Sequence, residues 1–319
     1  MTKQTRFLGL LLALLLLAGC GTPPAPAISQ PEETPPDVSA PPPEAAGETI
    51  PFTLAVYPQE SFHPALSKNR TNLLLASLLY QPLYRLDERF EPQPVLASGA
   101  AASEDKLTWT ISLQNAAFSD GTPLTGKLAA DALNAARGEG SRYAARLAGI
   151  TGVAAGEGSV VITLSSPNGN LPALLDIPIA LGDGPRPLGT GPYVLREEET
   201  VLSLEAAEGQ AVPAKTIPLH AIAQTDDLIA AFDSGDVTLV ETDLMGTNTP
   251  AYSGNYEVWD YPGLGMVYLG INSREDRPCA SEALRRGLAR GIDRESIADT
   301  VFAGHAAATA LPLHPHSPR

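Results

Sequence analysis

The stretch from Leu107 to Thr125, LTWTISLQNAAFSDGTPLT, constrains the fold more tightly than any other part of the chain. Leu107, Trp109, Ile111 and Leu113 fall on one face at period two, with Thr108, Thr110, Ser112 and Gln114 on the other. That alternation is the pattern of a half-buried antiparallel strand. Asp120-Gly121 follows as a tight turn, because glycine supplies the positive φ that such a turn needs. The segment therefore reads as one hairpin.

The first nineteen residues read as a processing signal. Lys3 and Arg6 precede an apolar run from Phe7 to Ala18 that is too short to span a bilayer comfortably. Leu17-Ala18-Gly19-Cys20 has the wording of a bacterial lipobox, which makes Cys20 the predicted site of lipidation. Acyl chains on that thiol, at ~0.8 kcal/mol per buried CH₂, would hold the chain on a membrane face. From Gly21 to Ile50 there are nine prolines, five acids and no base, a composition that cannot bury a core. Residues 20–50 are thus a lipidated cysteine and a disordered, proline-stiffened tether.

Charge excludes one class of partner. The chain carries 21 basic and 36 acidic residues, a net of −15, and without Lys3 and Arg6 the balance is 19 against 36, or −17. Nucleic acid is not expected to bind, since no basic patch is present to displace its counterions. With Cys20 lipidated only Cys279 remains, so no intrachain disulfide forms. Cys279, after Pro278, reads as a small residue at a helix start.

Further along, Phe52–Tyr57 alternates as a first strand that Pro58–Pro64 breaks, and Asn72–Tyr80 is an apolar helix. Leu128–Ala136 is a second helix ended by Gly138 and Gly140, and Ser159–Leu164 a strand. Gly189-Thr190-Gly191-Pro192-Tyr193-Val194-Leu195 calls for a close backbone approach before another strand. It lacks the Gly-Lys-Ser/Thr ending of a phosphate loop. Ile217–Ile222 is a strand, Thr225 onward a helix closed by Ser234-Gly235-Asp236, and Met266–Asn272 a strand ending in asparagine. Two short amphipathic helices follow, with Leu284 and Leu288, then Ile297 and Val301. Asp293 caps the second and Gly304 ends it.

No catalytic constellation emerges. There is no Gly-x-Ser-x-Gly elbow, and Glu241 and Asp243 read as a solvated strand end. His314 and His316 form the one close histidine pair and read as a frayed terminus, so neither metal nor cofactor is expected.

Four blocks together resemble the family 5 extracellular solute-binding proteins, the peptide and nickel receptors of ABC importers. They are Leu79–Ser98, the Leu107–Thr125 segment, Gly189–Leu195 and Met266–Val301, in the family's order. Where the family writes Leu-Asp-Pro after the first strand, this chain has Phe62-His63-Pro64. The resemblance implies an α/β, periplasmic-binding-protein-like type II fold, with a first lobe of mixed sheet and helices over 51–265. Residues 266–319 would be a hinge strand and the beginning of a truncated second lobe. It also implies a monomeric, lipid-anchored receptor on the extracytoplasmic face of the cell membrane that passes a peptide or similar solute to ABC permease subunits. In peptide-binding relatives the loop after the first strand, a tyrosine after the hairpin and the asparagine ending the hinge strand line the cleft. By motif match those are Glu60 and Ser61, Tyr143, and Asn272. A non-binding remnant of such a receptor is the first alternative, and a surface hydrolase the second.

Overall fold

Two four-stranded sheets, the first packed against one helix and the second against two, carry most of the fold. A computed structural model describes residues 52–242, 252–253, 255–259, 261 and 265–311. The chain opens with strand β1 (Leu54–Val56) and helix α1 (Arg70–Leu79), whose first turn is capped by the Asn69 side chain accepting from Asn72 N–H. Short strands β2 (Gln81–Pro82), β3 (Tyr84–Leu86) and β4 (Pro92–Pro94) lead to β5 (Ala97–Ala102) and β6 (Thr108–Leu113). Helix α2 (Gly126–Arg137), β7 (Ile150–Gly156) and β8 (Ser159–Leu164) complete the first body. After β9 (Pro178–Ile179) come β10 (Tyr193–Glu198), β11 (Val201–Ala206), β12 (Thr216–Ala221) and α3 (Thr225–Ser234). Helices α4 (Glu282–Gly291) and α5 (Arg294–Thr300) follow.

The first sheet runs β5-β6-β8-β7, all antiparallel, with α2 across it. Trp109 and Ile111 point into its core beside Val160, Ile162 and Leu133, as the alternation in β6 requires. The Trp109 indole N–H donates to Asn168 O at 3.1 Å, which satisfies the polar end of the ring. One expectation is corrected here. β6 finds its partners in β5 and β8, while Asp120-Gly121 turns a separate small loop closed by an Ala117–Pro123 bridge. Gly121 has φ +87°, so the turn chemistry is as expected, but Gln114 and Asn115 separate it from the strand.

The second sheet runs β1-β12-β11-β10, with β1 and β12 parallel. Leu75 and Leu79 of α1 pack on it with Phe62, Leu204 and Leu219. Fully burying side chains such as Phe62, Leu75 and Leu204 stabilises the fold by roughly 1.5–3 kcal/mol each. Gly189 and Gly191 permit the crossing between α1 and the entry to β10. A Cβ on Gly189 would lie 1.9 Å from Leu79 O, and one on Gly191 2.3 Å from Leu78 O. On the other side of β1, Ala55 packs with Ile222, Ala231 and Val237, which seats α3. Gly235, at φ +85°, ends that helix in the left-handed conformation.

The proposed hinge strand is the second correction. Met266–Asn272 belongs to no ladder among the described residues, and Val267, Tyr268 and Leu269 are exposed. A strand exists through its partner's hydrogen bonds, so the apolar pattern alone leaves it unpaired. The helices after it form as expected. Ser281 caps α4, Asp293 caps α5 through Ser296 N–H at 2.9 Å, and Gly304 N–H donates back to Ala298 O.

Candidate functional site

β1 and β12 run parallel, and both end on the same side of the sheet, where open α/β folds place their ligands. The chain leaving β1 there is the loop Tyr57–Ser67. Three sets of contacts hold it. From below, Asn72 of α1, completely buried, accepts Tyr57 N–H on Oδ1 at 3.0 Å. Its Nδ2 donates to Tyr57 O at 2.9 Å and to Glu60 O at 3.2 Å. From the side, Phe62 N–H and the Ser61 hydroxyl both donate to Pro185 O, at 2.7 and 3.3 Å. The Arg186 guanidinium reaches back over the Phe62 ring, pairs with Glu197 and donates to Pro58 O.

Within the loop, His63 N–H donates to Ser61 Oγ at 3.0 Å, and His63 Nδ1 accepts Ala65 N–H at 3.2 Å. That bond needs a neutral ring with Nδ1 unprotonated. Burial holds the His63 imidazole below its ordinary pKa, partly opposed by the Asp183 carboxylate.

The main-chain groups of Gln59 and Ser61 have no hydrogen-bond partner among the described residues, although their neighbours are fixed on two sides. Gln59 and Glu60 are exposed and Ser61 is half-buried. The loop thus presents donors and acceptors that are unpaired among the described residues on a hydrogen-bonded support, groups that the backbone of an extended ligand can meet.

Tyr143 reaches this region by a different route. Arg142 N–H donates to Ala65 O at 3.0 Å, tying its segment to the loop. The Tyr143 ring is half-buried against the first core, with the Arg142 guanidinium 5.7 Å from its centroid. Burial raises its pKa; Asp176 pushes it the same way, and Arg142 and Arg146 oppose. Asp176 is itself raised by burial, against the pull of Arg146 and Arg85. The structure therefore ties the Tyr143 segment to the loop at Ala65, four residues beyond Ser61. Asn272 is exposed, and its Oδ1 accepts Arg274 N–H at 3.2 Å in a local turn. Cys20, Asp243, His314 and His316 lie outside the described residues. Glu241 is ion-paired with Arg70 at 3.1 Å, and Cys279 is half-buried in a single turn before α4.

Asn72 was missed in the sequence, yet a signal for it exists. Asn72, Leu75, Ala76 and Leu79 are the buried residues of α1, spaced i, i+3, i+4, i+7. A polar residue on the apolar stripe of a helix must have a partner elsewhere. A neighbouring crevice is not a site of this kind. It encloses about 220 Å³ beside Tyr80, Ser119, Arg186 and Glu197, below the ~300 Å³ usual for small-molecule pockets. Several of its polar groups are already paired, Tyr80 with Pro187 O and Arg186 with Glu197.

Comparisons with known proteins agree with this architecture. A Brucella ovis protein described as an ABC transporter peptide-binding protein is 28% identical over 279 residues, covering 78% of this chain and 51% of its own length. The nickel-binding periplasmic protein of Escherichia coli K12 is 24% identical over 262 residues, covering 72% and 49%. The chain spans about half the length of the curated relatives it matches. Among solved structures, a nickel ABC transporter protein of Bacillus halodurans superposes with a TM-score of 0.59 at 20% identity, over 83% of this chain and 58% of that one. The oligopeptide-binding protein AppA of Bacillus subtilis, solved with a nonapeptide, gives 0.54 at 18% identity over the same shares. These likenesses carry the α/β, type II binding-protein fold. Residues 91–319, more than half of the chain, match the family of bacterial extracellular solute-binding proteins, family 5, and the chain belongs to that family.

Proposed function

We propose that this chain is the substrate-binding component of an ABC importer, lipid-anchored through Cys20, that captures an extended peptide or similar solute for a permease. The observation that carries the ligand class is the loop after β1. Its Gln59 and Ser61 main-chain groups are unpaired among the described residues, while Asn72, Pro185 and Arg186 hold their neighbours in place. A backbone-bearing ligand can satisfy such groups by strand-like pairing, which gives affinity without demanding one side-chain sequence. Glu60 and Ser61 would contact the ligand first, Tyr143 would line the wall behind them, and Asn272 would contribute from the segment beyond. The names of the relatives, one for peptides and one for nickel, support solute capture of either kind. Among the described residues no helix is long and apolar enough to cross a membrane, and no three His, Cys, Asp or Glu side chains gather as a metal site.

Isothermal titration against tri- to pentapeptides, with the nickel–histidine complex as a parallel arm, tests the reading. Micromolar binding of peptides, weakened by Tyr143→Ala, is the expected result. Binding of the nickel complex alone would move the ligand class to metal chelates. Binding of neither would overturn the receptor reading for the chain.

A further inference from the structure

Glu60 N–H turns back onto Tyr57 O at 3.0 Å, so the loop after β1 begins with a tight turn and not with a second strand. A strand partner for Tyr57 would use both its N–H and its C=O. The Asn72 carboxamide supplies both contacts, at 3.0 and 2.9 Å, and spends its other amide proton on Glu60 O at 3.2 Å. Both donors of the amide are therefore used. Its backbone is fixed as well, since Asn72 N–H donates to the Asn69 cap at 2.9 Å.

We infer that Asn72 is the positioning residue of the ligand loop, standing in for a strand partner at Tyr57 and so fixing the unpaired main-chain groups of Gln59 and Ser61. The inference rests on the receptor reading above. Asparagine is required by its chemistry. A carboxylate in its place could accept from Tyr57 N–H but could not donate to the two carbonyls, and would face them with negative charge. Glutamine is one methylene longer at a position with no exposed area. Alanine would leave the Tyr57 N–H and Glu60 O without their partner.

The test separates positioning from plain stability by comparing Asn72→Asp with Leu75→Ala. Leu75 lies on the same helix and in the core below it, buried to 1% exposure, and its apolar side chain can hydrogen-bond none of these polar groups. In the full chain, amide exchange at Tyr57 and Glu60 is measured alongside the melting midpoint and the affinity for tri-alanine. Asn72→Asp should speed exchange at those two amides about tenfold beyond what its melting shift explains, because local opening no longer breaks the two Nδ2 bonds to Tyr57 O and Glu60 O and relieves the carboxylate's repulsion from those carbonyls. Tri-alanine affinity should fall about tenfold with it. Leu75→Ala should lower the melting midpoint while leaving the local exchange ratio and the affinity as in the parent. Equal effects of the two variants on exchange and affinity would overturn the inference and leave Asn72 as a core residue. If the parent chain does not bind tri-alanine, the receptor reading fails for that peptide, and the exchange comparison alone decides the role of Asn72.

Discussion

Gly189→Ala is a severe test of the packing that supports the loop. An added Cβ would sit 1.9 Å from Leu79 O, 2.8 Å from Leu79 C and 2.6 Å from Tyr80 Cδ1. Two of these atoms are backbone at the end of α1, the third belongs to the buried Tyr80 ring, whose hydroxyl is bonded to Pro187 O, and Leu79 O already accepts Gly191 N–H at 2.9 Å. They cannot swing aside as a long side chain would, so a shift of more than 1 Å must come from the strand or the helix. Gly189 has no positive φ, so the cost is steric and not conformational. Overpacking of this kind costs about 1–3 kcal/mol where side chains can adjust, and a backbone clash belongs at or above ~3 kcal/mol. The smaller unfolded-state entropy of alanine returns only ~0.4–1 kcal/mol. For a domain of this size a change of ~3 kcal/mol lowers the melting midpoint by about 6–12 °C. Gly149→Ala is the matched control, because its Cβ would meet only Ser165 Oγ at 4.0 Å, and it should be neutral or slightly stabilising. Thermal melting followed by circular dichroism measures both. A Gly189→Ala midpoint within 2 °C of the parent, or equal to that of Gly149→Ala, would show that α1 and β10 do not cross as closely as described.

Three further outcomes are expected. Trp109→Ala should lose about 3–5 kcal/mol by emptying a core position at 8% exposure; Trp109→Phe should lose less, on the order of 1 kcal/mol, from the orphaned Asn168 O. Chemical denaturation of the pair gives both numbers: equal losses would discount the packing of the ring, and no loss in Trp109→Phe would discount the indole hydrogen bond. His63 is held neutral by burial, so its folded pKa lies below its unfolded value of about 6.5. Its share of stability is complete above that value and is lost as pH falls through about 6.5 toward the folded pKa. Stability measured between pH 8 and 5 should therefore fall more steeply for the parent than for His63→Asn, and parallel curves would refute the assignment. Cys20→Ala should release the protein from membranes into the soluble fraction. Continued sedimentation of the variant with membranes, with no lipid mass on the parent, would end the anchor proposal.

Much of the fold was legible because it is written in short-range patterns. The β6 alternation placed Trp109 and Ile111 in the core, and Gly235 and Asp293 marked helix ends where a turn or cap demands them. Gly189 and Gly191 announced a close approach, although not what approaches. What stayed hidden depends on partners distant in sequence. The parallel pairing of β1 with β12 joins Leu54 to Leu219, and no local pattern near either names the other. Met266–Asn272 shows the converse, since it has strand composition but no partner in the described structure. Composition states what a segment can do, while the ladder decides what it does.

The same distinction explains why the site was half legible. Glu60 and Ser61 could be placed by their position after the first strand, but nothing local says why that loop should be rigid. The answer lies in Asn72, fifteen residues beyond Tyr57, on the stripe that also carries Leu75 and Leu79. An apolar residue there would pack against the core at no polar cost, and the helix itself gains nothing from asparagine, a poor helix former. The polar group is compensated only through Tyr57 and Glu60, so its benefit falls on the loop and not on the helix that bears it. A buried amide that serves a neighbouring loop is better read as that loop's support than as part of the core. In other members of this fold, a polar residue interrupting the apolar stripe of the first helix is where a comparable loop support should be sought.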